Sequence, residues 1–244
     1  MKKALIVVLL VTTAFCIAGF TPINFTEHNG YPQGKGNGSL NGHEYVDLGL
    51  PSGTLWATCN VGAKSPEDYG DYFAWGETRT KASFSNSTYK YSKAKIHGEY
   101  TKYSYNTENG YNGYVDKLTT LEPNDDAATV NWGSGWRIPT KDECEELLKH
   151  TTKKVETVHK VKGMRLTGPN GQSIFLPAAG NRVDTKLLHN GTEGSYWSSS
   201  LNTVVSAAWN FYCNCKSKSC DMFDFNDREI GHTIRPVCSA QKNR

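Results

Sequence analysis

Three short stretches carry side chains able to do chemistry. Cys213-Asn-Cys215-Lys-Ser-Lys-Ser-Cys220 gathers three thiols, and Cys59, Cys144 and Cys238 bring the count outside the first nineteen residues to six. A zinc site needs four ligands at spacings such as C-x2-C or H-x3-H. No such spacing occurs, and the seven histidines are scattered. Neither a metal nor another cofactor is expected. An even set of cysteines in an exported chain instead points to disulfides, in any of fifteen pairings. Glu122-Pro123-Asn124-Asp125-Asp126 masses oxygen atoms. Calcium takes six to eight oxygens, more than this run supplies alone, and a buried carboxylate more commonly pairs with a cation. Arg137, flanked by Trp136 and Ile138, is the candidate. It is expected to lie buried against Asp125 or Asp126. The third stretch, GWRIPTKDECEELL from Gly135 to Leu148, holds two cations and four acids. No H-E-x-x-H, G-x-S-x-G or phosphate-binding loop is present. Glycosidase chemistry, which needs two carboxylates across a cleft, has no motif to mark it.

The acids of the third stretch have structural work. Thr140 followed by Glu143 predicts a capping box, and Pro139 forbids helix just before it. Asp142 and Glu143 then sit at the positive end of the helix dipole. Cys144, Leu147 and Leu148 make one apolar stripe of a helix over about 140–150, and Glu145 is placed to pair with Lys149. Elsewhere short alternating runs are bounded by Gly, Asn and Pro. Tyr45–Leu48 and Thr54–Cys59 read as strands around Leu50-Pro-Ser-Gly53, and Tyr72–Trp75 as another. Val161–Leu176 reads as a hairpin turning at Pro169-Asn170-Gly171. Ser195–Ser200, Ala207–Tyr212 and Gly231–Val237 read as the last strands. The fold class expected is α+β, with short antiparallel strands, one main capped helix and long irregular loops.

Met1-Lys2-Lys3, an apolar run to about Ala18 and then Gly19 read as a signal peptide over 1–19. The run is too short for a comfortable membrane span. Cys16 offers lipid anchoring as a less favoured alternative, because Phe15 stands where such sites usually carry a small residue. Gly- and Asn-rich residues 20–42 read as a flexible arm, and 43–244 as the domain. A secreted or surface-displayed protein follows. Loss of Lys2 and Lys3 lowers the formal charge of +3 by two, which leaves no electrostatic footprint for nucleic acid.

The blocks HEYVDLGLPSGTLWATCNVGA, PEDYGDYFAWGET, LEPNDDAATVNWG, GWRIPTKDECEEL, TGPNGQSIFLPAAG, GSYWSSS and IGHTIRPV resemble, in order, those of the Fibrobacter succinogenes major paralogous domain family. Agreement runs from His43 to Val237; Cys144 departs where the family carries Trp. The resemblance implies a C-type-lectin-like fold on an exported bacterial surface protein, with no enzymatic activity to carry over. It also implies that the first and last strands run together, and hence a Cys59–Cys238 disulfide. Formylglycine-generating, sulfatase-modifying enzymes share a similar block and bind copper with a late C-x4-C pair. Cys215 and Cys220 have that spacing, but Asp221-Met-Phe-Asp224 follows where those enzymes carry aromatics and arginine. Glu122-Pro123-Asn124 is similar to the calcium and sugar motif of animal lectins, yet it precedes the main helix, and Trp209-Asn210 is followed by Phe211 instead of Asp.

Binding remains, by an unknown glycan or protein ligand, in adhesion or recognition. Two surfaces qualify. Residues 81–120 carry seven tyrosines among Lys, Ser, Asn and Gly, a composition suited to contact surfaces, or else an irregular insertion packed on the domain. Residues 201–229 are favoured, because C-type-lectin-like domains present ligands before their final strands. There the amides Asn210, Asn214 and Asn226, the rings Tyr212 and Phe223, the cations Lys216, Lys218 and Arg228, and the acids Asp221, Asp224 and Asp227 are the candidate contacts. A Cys215–Cys220 bridge would pin this segment as an exposed loop or hairpin tip, with Cys213 pairing elsewhere, for instance with Cys144. A copper-dependent oxidase using a Cys215/Cys220 dithiol is the rival reading. A structural subunit of a surface fibre is a third; it would need an exchangeable strand from the arm.

Overall fold

The computed structural model describes residues 37–93, 99–204 and 207–239; of Asp224 and Phe225 the backbone alone is described. The leader over 1–19, Cys16 and most of the arm lie outside the described residues. Among the described residues no helix is long and apolar enough to cross a membrane.

The chain runs through β1 (Gly38–Leu40), β2 (His43–Asp47) and β3 (Thr54–Ala57), then a long irregular region to α1 (Ala127–Trp132), β4 (Trp136–Arg137) and α2 (Lys141–His150). There follow β5 (Thr152–Val158), β6 (Val161–Thr167), β7 (Ser173–Pro177), β8 (Asn181–Val183), β9 (Lys186–Leu188), β10 (Glu193–Leu201), β11 (Ala208–Asn214), β12 (Ser219–Asn226) and β13 (Val237–Ser239). All pairings between these strands are antiparallel. The sheets have the orders β1-β2-β3-β13-β4, β5-β6-β7, β10-β11-β12 and β8-β9. This is an α+β fold, mostly β. The last strand does not lie beside the first: β13 pairs with β3 and β4, and β2 and β3 separate it from β1.

The arm ends earlier than expected. Asn41 and Gly42 both have positive φ (50° and 82°), as a two-residue hairpin turn requires, and this folds Gly38–Leu40 onto β2. The Pro169-Asn170-Gly171 hairpin forms as the sequence predicts, with Gly171 at φ 83°. Tyr72–Trp75 is not a full strand: Phe73 makes a single bridge to His232. Of Gly231–Val237, Gly231, His232 and Thr233 make isolated bridges and a continuous strand begins at Val237.

Two apolar cores flank the central strands, and alternation feeds both. From β3, Leu55 and Ala57 enter one core and Trp56 the other; from β10, Trp197 and Tyr196 divide the same way. The second core takes the stripe Cys144, Leu147 and Leu148 of α2 against Met164, Leu176 and Phe211. The first takes Trp75, Tyr89, Tyr91, Tyr100 and Tyr103. Four of the seven tyrosines of the tyrosine-rich region are therefore core, and Tyr105, Tyr111 and Tyr114 are exposed. Two indole N–H groups cross-tie this core: Trp75 donates to the Ser198 carbonyl and Trp197 to the Phe73 carbonyl, each at 2.8 Å.

Helix α2 carries the predicted capping box: Thr140 Oγ1 accepts from the Glu143 N–H and a Glu143 oxygen accepts from the Thr140 N–H. Glu145 pairs with Lys141 on the preceding turn rather than with Lys149. Arg137 departs from expectation. Trp136 and Arg137 alternate across β4, so the indole is buried while the guanidinium emerges over the start of α2, 39% exposed. There it makes a two-pronged contact with Glu143, 2.5 Å for each prong. Asp126 ties the two segments together, accepting from the Thr129 and Ile138 N–H groups. Asp125 meets Lys90 and Lys102 instead of an arginine.

The cysteine pairings also differ. Cys213 and Cys220 face each other across β11 and β12 and are bonded. Cys215 stands past the end of β11 and is a buried free thiol. Cys59 and Cys238 are free. Cys238 is level with Leu55, whereas Cys59 lies beyond the end of β3, where Val61 hydrogen-bonds to Ile234. The strand register thus carries the two sulfurs apart. Cys144 shares a core with Cys213, but the Cys213 sulfur is already taken.

Candidate functional site

Strands β10, β11 and β12 turn Tyr196, Phe211, Cys213 and Cys220 into the second core. Residues one position off must face the other way. In register these are Glu193, Asn214 and Ser219, then Ser195, Tyr212 and Asp221, then Trp197, Asn210 and Phe223. Of the exposed loop or hairpin tip expected for this segment, the structure has the hairpin, and these residues form its outer face. Lys216 and Lys218 stand exposed at its tip, where Asn214 Oδ1 accepts from the Lys216 and Ser217 N–H groups.

This face is concave. A cavity of about 330 Å³ is lined by Asn181, His189, Glu193, Ser195, Tyr212, Phe223, Asn226 and His232. Asn181 begins β8, and His189 follows β9. His232 arrives from the last segment, where its backbone N–H and C=O pair with Phe73. Phe223 is 47% exposed and its ring lies 6.5 Å from that of Tyr212, inclined at 45°. Asn214 Nδ2 donates to the Tyr212 hydroxyl at 2.8 Å and to Glu193 at 3.3 Å. Glu193 also lies 3.6 Å from the His189 ring. Asn226 Nδ2 donates to Asn210 Oδ1, which leaves the Asn226 carbonyl oxygen for the cavity. The ring of His232 packs 4.2 Å from that of Trp197, and burial pushes its pKa down to about 3.

Of the predicted contacts, Tyr212, Phe223 and Asn226 line the cavity, and Asn210 and Asn214 brace them from the sheet. Asp221 is exposed beside Tyr212. Asp227 is half-buried at the start of the turn after β12. The side chain of Asp224 lies outside the described residues. Arg228 is not a surface contact. It is fully buried, its guanidinium 3.8 Å above the Tyr100 ring and 5.5 Å from that of Trp75. The reason is the end of β12: past Asn226 the chain turns inward to reach the first core. Five lining residues were not foreseen: Asn181, His189, Glu193, Ser195 and His232. For Glu193 and Ser195 the alternation of β10 was a signal, because both lie in phase on the face opposite Tyr196. For the other three no local signal exists, since they come from separate segments.

The arrangement offers hydrogen bonds and ring faces. Among the described residues no group of three His, Cys, Asp or Glu could hold a metal ion. Glu122 pairs with Lys102. Cys220 is bonded to Cys213, and burial raises the Cys215 thiol above its ordinary pKa. The dithiol that copper chemistry would use is therefore not assembled. Comparison with family descriptions, with curated proteins and with solved structures gives no match for this chain.

Proposed function

We propose that this chain is a secreted or surface-displayed, non-catalytic recognition module that binds a glycan or protein ligand. We assign it to the Fibrobacter succinogenes major paralogous domain type, with a C-type-lectin-like fold. The observation that carries the reading is the concave outer face of β10-β11-β12, where two inclined rings stand beside amides and a hydroxyl. Small-molecule sites are commonly such hollows, with apolar walls and a few placed polar groups. Preformed strands and the Cys213–Cys220 bridge lower the ordering cost of binding.

The test is a printed glycan array, probed with and without chelator, next to immobilised cell-surface protein fractions. Retention that falls in a Tyr212→Ala/Phe223→Ala double variant is the expected result. If neither surface distinguishes wild type from the double variant, the reading is wrong. A thiol titration separates the oxidase reading. Beyond the leader, four free thiols are expected, Cys59, Cys144, Cys215 and Cys238; six, with tight Cu(I) binding, would favour the oxidase.

A further inference from the structure

Positive charge is gathered in two parts of the chain. Residues 149–162 hold five lysines and one acid, and residues 213–220 hold two lysines and no acid. The whole chain carries a formal charge of only +3, so the remainder is net negative. Some of these cations have structural work. Lys153 donates to the Leu148 and Thr151 carbonyls at the end of α2. Lys154 stands opposite Arg165 across β5 and β6, and the two share Glu156. Lys162 differs from both. It is in phase with Met164 and Leu166, so it leans to the side of the second core, and it is exposed. Backbone hydrogen bonds lead from there to the β11–β12 turn: Ala178 N–H to the Lys162 carbonyl, Gly191 N–H to that of Ala178, and Cys215 N–H to that of Thr192. The charge of Lys162 reaches the Cys215 thiol, and Lys216 follows Cys215 directly. Both turns are fixed. Asn214 accepts from the Lys216 and Ser217 N–H groups, and Lys218 has φ 59°, while His159 and Lys160 have φ 45° and 73°. Lys160, Lys162, Lys216 and Lys218 are all exposed, and among the described residues none of them forms an ion pair. The nearby acids are already engaged, Glu67 by His159 and Glu193 by Asn214 and His189. Gathering lysines without counter-ions costs the folded chain self-repulsion.

We propose that these two hairpin turns dock on an anionic lipid bilayer, with Lys160, Lys162, Lys216 and Lys218 reaching the headgroup phosphates. The inference does not use the outer hollow of β10-β11-β12 and is independent of the recognition reading above. Clustered lysines near an anionic leaflet attract it additively. The choice of lysine fits that partner. Its ammonium is a compact point charge on a flexible stem, able to follow a fluid layer of headgroups. A polymer whose acidic groups are gripped one by one would favour the planar fork of arginine, and neither turn contains one. The hollow takes none of the four lysines as lining. None of the exposed large apolar side chains lies in either turn. Contact therefore stays at the level of the headgroups, and salt should release it.

The test is cosedimentation of the intact protein with vesicles, either of phosphatidylcholine alone or of equal parts phosphatidylcholine and phosphatidylglycerol. At low salt the anionic vesicles should retain it with a midpoint on the order of 1 mM lipid, and the neutral vesicles should not. Salt at about 1 M, where screening acts within roughly 3 Å, should release it. The variant Lys162→Gln/Lys216→Gln/Lys218→Gln should lose affinity on the order of a hundredfold, about fivefold for each lysine. A control, Lys64→Gln/Lys93→Gln/Lys186→Gln, removes the same charge from exposed lysines elsewhere and should lose less than about threefold. All six positions are exposed, so an unchanged Tm is expected and shows that each variant is folded. Equal losses in the two variants would reduce the effect to net charge and overturn the inference. So would equal binding to neutral vesicles, or no binding to anionic vesicles at low salt. Retention on heparin by a protein that ignores the vesicles would assign the lysines to a soluble polyanion and overturn it too. Array or protein-fraction binding that depends on Tyr212 and Phe223 is judged separately from all of these outcomes.

Discussion

Asp125 is the residue whose removal should unlock the tyrosine-rich region. Its carboxylate is 4% exposed and lies in a short turn, Pro123–Asp125. It accepts from Lys90 at 2.9 Å, from Lys102 at 2.6 Å and from the Tyr103 hydroxyl at 2.8 Å. That hydroxyl in turn accepts from the Glu122 N–H at 2.9 Å. Tyr103 is buried, edge-on to Trp75 at 5.1 Å, and has a positive φ of 57°. It therefore holds this backbone conformation only while the contacts around it persist. Asp125→Asn keeps the shape but removes the charge and turns an N–H2 toward two ammonium groups. Breaking a buried pair costs about 3–5 kcal/mol. Here the lysine side chains are 50% and 26% exposed, so water recovers part of their solvation, and we expect about 2–4 kcal/mol. Lys90→Ala, the more exposed partner, should cost under about 1 kcal/mol.

The pH dependence follows from the same contacts. Burial opposes ionisation of Asp125, and the hydrogen bonds from Lys102 and its other donors outweigh it, holding its carboxyl below the usual carboxylate range. A depressed folded pKa stabilises above the unfolded value of about 3.9 and loses that contribution as pH falls toward the folded value. Urea melts of wild type and Asp125→Asn at matched pH isolate this residue from the other acids. The gap should be full at pH 5 and above and shrink steadily below about pH 4. A gap under about 1 kcal/mol at neutral pH, or one that does not change between pH 6 and pH 3, would refute the reasoning.

Two further outcomes test the frame of the site. Arg235 is fully buried and donates to Asn60 Oδ1 and to the Ala57, Thr58 and Phe175 carbonyls; Arg235→Lys loses the planar fork and should cost about 2–4 kcal/mol in urea melts. Glu143 accepts from Arg137, the Thr140 N–H and the Thr54 hydroxyl; Glu143→Ala, which removes the cap as well as the charge, should cost about 1–2 kcal/mol. Arg137→Ala, on a half-exposed partner, should cost under about 1 kcal/mol in the same assay; the reverse order would make the ion pair, not the cap, the main contribution.

Local chemistry was legible in the sequence and long-range meeting was not. Thr140 and Glu143 announced the start of α2 because both partners of a capping box lie within four residues. Pro169-Asn170-Gly171 announced a hairpin because its backbone angles depend on those residues alone. The turn at His159-Lys160 was missed, and β5 with it. Both residues have positive φ (45° and 73°) without the Gly or Asn that usually reports it. Arg137 was assigned the wrong acid because proximity in sequence favoured two candidates upstream, while β-alternation at Trp136 turned the guanidinium toward Glu143. The disulfide was misplaced by two residues for a similar reason: only the register of β11 on β12 says that Cys213, and not Cys215, stands opposite Cys220. The site was half legible. Tyr212 and Phe223 follow the alternation of one hairpin, whereas Asn226 joins them across a register shift and His232 from a separate segment.

His232 and Arg235 sit three residues apart in that last segment, and their contrast bears on how the segment is held. Both are polar, both are buried, and neither is paired with a carboxylate. Around Arg235 the fold supplies an amide oxygen and three carbonyls from separate segments, answering the Nε and both terminal nitrogens of the guanidinium. Around His232 it supplies a backbone ladder and an indole face but nothing for either nitrogen. The same stretch of chain thus shows that the fold can satisfy a demanding buried group. The imidazole is left unanswered with both nitrogens closed to solvent, so it carries a desolvation cost that its packing on Trp197 must offset. The two residues therefore divide the segment's roles: Arg235 fastens the end of the chain to β3 and β7, and the position so fixed is what holds His232 at the floor of the site.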